Sequence, residues 1–107
     1  MSTLRILILT DGRAGHVNLS NGIAAAIGRR RPADVVRLDV RRGRWPGQAL
    51  AVATAAGVSP EIVLSRVYGI DPAGLPRADL VISAGAETLA ANVAMARLIA
   101  VPNIFYG

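Results

Sequence analysis

The chain has no cysteine, no lysine, one histidine and only four aromatic residues among its 107 positions. Without cysteine there is no disulfide framework and no thiolate chemistry. A single histidine, with no cysteine beside it, leaves no set of soft metal ligands. So few aromatics, none interleaved with basic residues, exclude a stacking surface for single-stranded nucleic acid, and no nucleic-acid partner is expected. Apolar runs are short: residues 4–9 are greasy, but Asp11 and Arg13 follow at once, well short of the roughly 20 residues of a membrane span. The N-terminus also lacks the apolar core of a signal peptide. A cytoplasmic protein without a transmembrane segment is the expectation.

What is present is apolar and small. Hydrophobic residues make up 52% of the chain, and net charge is +5. That length and composition predict one domain with a modest core over residues 1–107. All the basic charge is arginine, clustered at 28–32 and 41–44. Such clusters suit an anionic partner, but arginines in a last helical turn also complement the helix dipole, and a solvated helix end is the preferred reading.

Residues 4–10, 34–40, 79–84 and 101–107 read as strands, the first and third apolar enough to be buried on both faces. Helices are predicted between them. The first is capped by Asn18 or Ser20, carries a stripe of Leu19, Ile23, Ala26 and Ile27, and stops before Pro32. A second spans 46–57. A third opens at Ser59-Pro60-Glu61 and ends near Gly69. A fourth runs from Glu87 or Thr88 to about Ile99, with Ala90, Ala91, Ala94 and Leu98 on one face. Alternating strands and helices predict an α/β fold: a Rossmann-like parallel sheet of about four strands flanked by helices, with right-handed crossovers. The last strand would be left with an open edge. It would pair with a second copy, as a homodimer, or residues 1–107 would be the N-terminal part of a longer two-domain protein, the favoured explanation.

In such sheets ligands bind beyond the carboxyl ends of the strands, where strand order reverses. Two bends qualify. The first, Asp11-Gly12-Arg13-Ala14-Gly15-His16-Val17-Asn18, has glycines where backbone turns sharply or a ligand comes close, and helix N–H groups that favour an anion. It is neither G-x-G-x-x-G nor a Walker loop. An ordinary β–α turn would also use two glycines. His16 and Asp11 are the candidate catalytic pair. Gly12, Arg13, Gly15 and Asn18 are candidate ligand contacts. The second bend offers Ser83, Gly85 and Thr88 to a phosphate or sugar hydroxyl; Glu87 there reads as a dipole-complementing residue. Asn92 is open to either role. Asp39 closes the second strand, where dinucleotide folds place a ribose-binding acid, or it is only a turn former. Trp45 reads as a surface packing residue or a contact to another part.

The stretches 6–27 (ILILTDGRAGHVNLSNGIAAAI) and 78–96 (ADLVISAGAETLAANVAMA) together resemble the N-terminal half of the family named for a plant mitochondrial-fission protein. Its bacterial members are described as glycosyltransferases or nucleoside-diphosphate-sugar epimerases. The family opens with Asp-Gly-(Arg/Lys)-x-Gly-His-x-Asn-Gln; Asp11, Gly12, Arg13, Gly15, His16 and Asn18 match, and Leu19 stands where glutamine is typical. A more distant similarity is to the transferase that forms lipid II, in the Gly12–His16 turn and in Asp79–Gly85. Where the family turns basic after its second glycine, this chain has Ala86 and Glu87. The resemblance implies the N-terminal half of a GT-B fold, with a C-terminal domain holding most of a nucleotide-sugar. This half would face a glycan or lipid acceptor and need no cofactor. The alternatives are a non-catalytic scaffold domain and a dinucleotide-binding half-domain.

Overall fold

A computed structural model describes residues 3–40, 57 and 59–106. Four strands form one parallel sheet: β1 (Leu4–Thr10), β2 (Ala33–Asp39), β3 (Leu80–Ala84) and β4 (Asn103–Tyr106). Their order is β2-β1-β3-β4. This is the parallel α/β sheet expected of the sequence. β1 is central because four successive residues, Ile6 to Leu9, are buried and need neighbours on both faces. It pairs along its whole length with β2, Leu4 against Ala33 through Thr10 against Asp39. On its other side Ile6 to Leu9 pair with Leu80 to Ser83 of β3. β2 and β4 are the edges, and both leave large apolar side chains exposed, Val36 and Tyr106.

The faces of the sheet carry separate cores. One is Ile6, Ile8, Ile82 and Ala24, with Ile23 and Ile27 packed against them; its helical part is α1 (Ala14–Gly28). The other is larger. It joins Leu7, Leu9 and Val81 to Val63, Leu64, Val67 and to Ala90, Ala91, Ala94 and Met95. Those last four belong to α3 (Leu89–Ile99), whose alanines let it lie close to the strands. Val63, Leu64 and Val67 lie on α2, a turn of α-helix at Pro60–Ile62 that widens into a π turn over Val63–Val67. Ser59, Pro60 and Glu61 start it as the sequence predicts, although the Ser59 hydroxyl turns to the Glu61 carboxylate rather than capping a backbone N–H. Among the described residues no helix is long and apolar enough to cross a membrane.

Two expectations for α1 are corrected. The helix begins at Ala14, so Asn18 and Ser20 lie inside it and cap nothing. The buried face is Ser20, Ile23, Ala24 and Ile27, while Leu19 and Ala26 point outward. The causes differ: Asp11 organises the entry to the helix, so α1 starts four residues earlier than Asn18, and the face is set by the packing of Ile23, Ala24 and Ile27 on Ile6, Ile8 and Ile82. Residues 46–56 of the helix expected over 46–57, Trp45 and the arginines at 41–44 lie outside the described residues.

Candidate functional site

The chain leaves β1, crosses to β2 on one side, then places β3 on the other side of β1. The reversal therefore falls between β1 and β3, the position at which doubly wound sheets open a crevice. The bends after these two strands meet there.

At the end of β1, Gly12 takes φ +80°, a backbone conformation costly for any other residue. That turn folds the Asp11 side chain back over its own loop. Its Oδ1 accepts a hydrogen bond from the Arg13 N–H at 3.0 Å, an Asx-type turn. One helical turn further on, His16 Nδ1 lies 2.6 Å from Asp11 Oδ2. Asp11 is acceptor-only when ionised, so the imidazole donates Nδ1–H to it. The Asp11 side chain is 2% exposed and that of His16 36%. Burial by itself disfavours the Asp11 charge. The hydrogen bonds from His16 and the Arg13 N–H, and the attraction of the imidazolium, outweigh it and hold the carboxyl below its ordinary value.

The third participant comes from the far half of the chain. Gly85, after β3, is buried and has φ +98° and ψ 137°. A Cβ placed on it would stand 2.4 Å from His16 Nδ1, 2.6 Å from Asp11 Oδ2 and 2.7 Å from His16 Cε1. The bare Cα of Gly85 is thus the surface against which the Asp11–His16 pair rests. Its own backbone is anchored: the Gly85 N–H donates to Tyr106 O at 2.9 Å, and its carbonyl accepts the Thr88 N–H at 2.9 Å.

Behind this bend sits a buried polar network. Thr88 Oγ1 lies 2.8 Å from both Ser83 Oγ and Gly85 O. Asn92 Nδ2 donates to Ser83 Oγ at 2.8 Å and to Ile104 O at 3.0 Å, and its Oδ1 accepts from Asn103 Nδ2 at 2.8 Å. Ser83, Thr88 and Asn92 have no exposed surface. Their hydrogen bonds are spent inside the protein, so Ser83 and Thr88 shape the bend from behind instead of lining its open side. Tyr68 completes the bracing: its hydroxyl donates to Glu87 O at 2.7 Å and accepts the Ala91 N–H at 3.3 Å.

Of the residues singled out in the sequence, Asp11, His16 and Gly85 are in contact. Arg13 and Asn18 are exposed around the mouth, and neither side chain has a hydrogen-bond partner among the described residues. Gly15 lies in the first turn of α1, where a Cβ would meet nothing within 4 Å, so no close packing demands glycine there. Asp39 is exposed at the end of β2, in register with Thr10. Tyr68 and Asn103 escaped sequence reading. Asn92 carried a signal: a lone amide on an alanine-rich buried face must be hydrogen-bonded.

Chemically, a histidine donating Nδ1–H to a buried carboxylate keeps its Nε2 lone pair as a proton acceptor, and the carboxylate fixes the ring and stabilises the imidazolium. The unpaired N–H groups of the first turn of α1 sit beside it, with no acidic side chain in that turn to occupy them. Among the described residues no three His, Cys, Asp or Glu side chains gather as a metal would require. Comparison with protein families, with characterised proteins and with solved structures brings no match for this chain.

Proposed function

We propose that this chain is the acceptor-side domain of a GT-B-type glycosyltransferase-like protein that handles a nucleotide-sugar and a glycan or lipid acceptor. The observation that carries the reading is the Asp11–His16 pair, 2.6 Å apart and backed by Gly85 at the point of strand reversal. In this reading the acceptor hydroxyl gives its proton to His16 Nε2, and Asp11 holds the ring and steadies the charge that appears on it. Gly12, Arg13, Gly15 and Asn18 surround the first turn of α1, whose N–H groups suit the diphosphate. The resemblance supports a second domain that holds most of the nucleotide-sugar; the composition, without cysteine or a long apolar run, supports a cytoplasmic location.

The test is titration of the full-length protein with UDP- and GDP-sugars while the His16 ring resonances are followed. Binding should move those resonances, and His16→Ala should abolish transfer to acceptor while leaving the fold intact. Silence of the ring toward every sugar nucleotide, or full transfer activity in His16→Ala, would refute this assignment.

A further inference from the structure

At the opposite end of the sheet lies an open polar cavity of about 320 Å³, lined by Thr3, Arg5, Arg77, Ala78 and Asp79. Its walls are joined by two backbone links: the Arg5 N–H donates to Asp79 Oδ2 at 2.9 Å, and the Asp79 N–H donates to Arg5 O at 2.8 Å. The first of these engages the Asp79 carboxylate with the main chain. Among the described residues neither Arg5 nor Arg77 has a carboxylate partner. All seven acidic side chains of the chain lie among the described residues, and none of them pairs with either guanidinium.

The surroundings are basic as well. Pro32 O accepts the Leu4 N–H at 3.0 Å, which brings the end of α1 and its arginines 29, 30 and 31 to this end of the sheet. Arg97, in the last turn of α3, returns to the same end. The nearby acids are Asp79 and Asp34, the latter in register with Arg5; the arginines outnumber them. Six arginines collected from four separate stretches of chain are more than the dipole of one helix end requires.

We propose that this cavity is an anion site for the phosphate group of a small phosphorylated ligand. Arg5 and Arg77 present planar forks that match phosphate oxygens in pairs, and the Thr3 hydroxyl supplies a further donor. A cavity of this size takes a small ligand. The exposed large apolar side chains among the described residues, Leu19, Val36, Ile62, Leu89 and Tyr106, do not line it, which favours a soluble phosphate over insertion into a lipid surface. The site stands apart from the Asp11–His16 crevice, at the other end of β1, and does not depend on the function proposed there.

The experiment is titration of the full chain with inorganic phosphate, followed through backbone amide resonances, with sodium chloride at matched ionic strength as control. Saturable shifts at residues 3–6 and 77–80 are expected with phosphate and not with chloride. Arg5→Gln and Arg77→Gln should each weaken the binding at least tenfold; both positions are exposed, so shifts elsewhere should match the parent chain. His16→Ala should leave this binding unchanged. The proposal is overturned if the Arg variants titrate like the parent, if chloride gives the same shifts, or if only the amides of residues 11–16 respond. Binding to phosphatidylglycerol vesicles or to a DNA duplex without any response to inorganic phosphate would also overturn it, since it would mark a diffuse polyelectrolyte face.

Discussion

Substituting Gly85→Ala should disable the crevice between β1 and β3 without touching either catalytic candidate. Two costs add. The backbone at φ +98° and ψ 137° is held there against the preference of any residue with a Cβ, a strain of about 2 kcal/mol. The new methyl would also stand 2.4 Å from His16 Nδ1 and 2.6 Å from Asp11 Oδ2. The half-exposed imidazole can escape only by swinging into solvent, which breaks its bond to Asp11. A charge-assisted hydrogen bond of this kind contributes about 2 kcal/mol. Together they give about 4 kcal/mol, or a melting midpoint lowered by roughly 15–30 °C. The contributions separate in a cycle: in a His16→Ala background the same glycine substitution should cost the backbone strain and the remaining contact with Asp11 Oδ2, and so less than in the parent. Calorimetry on the four proteins measures this, and the His16 Nδ1 proton, expected far downfield in the parent, should lose its shift in Gly85→Ala. A midpoint within 2 °C of the parent, or costs that simply add across the cycle, would show that Gly85 does not support the pair.

Two further outcomes follow from the same geometry. The Asp11 carboxyl is depressed in the folded state relative to its ordinary 3.8. Its contribution is therefore complete above the unfolded value and is lost as pH falls through the folded one; Asp11→Asn should be less stable than the parent at pH 7 and should flatten the acid side of the stability profile below about pH 5, read by urea titration at each pH. Asn92→Ala would leave Ser83 Oγ, Ile104 O and Asn103 Nδ2 short of a partner, at a cost of about 3 kcal/mol, and should lower the urea midpoint by roughly 1–3 M.

Strands with a continuous apolar run were legible because nothing else accommodates four consecutive buried residues: β1 matches the sequence reading residue for residue, and β3 begins one residue later than expected and ends at the same one. The start of α1 was not. The sequence places capping residues next to the apolar stripe, whereas the helix is organised from outside by Asp11, a carboxylate that binds one backbone N–H and one side chain at once. Hydroxyls beside a glycine suit phosphate, so the sequence offers Ser83 and Thr88 as ligand contacts. The deciding fact, that Asn92 reaches Ser83 from α3 and is itself held by Asn103 of β4, is a tertiary contact that sequence spacing does not reveal. Gly85 was visible as a glycine in a bend, but that its bare Cα is the seat of the His16 ring depends on how β1 and β3 lie side by side.

The Asp11–His16 pair is nearly local in the chain, so any segment holding β1 and the first turn of α1 can draw it together for an instant. What fixes it arrives late. Until β3 docks against β1 and brings its following bend to rest on the imidazole, the pair stands in water, weakened by solvent and salt. A nascent or partly unfolded chain therefore carries all the right side chains and no working arrangement of them. Reactivity at His16 becomes a report on whether the sheet has closed.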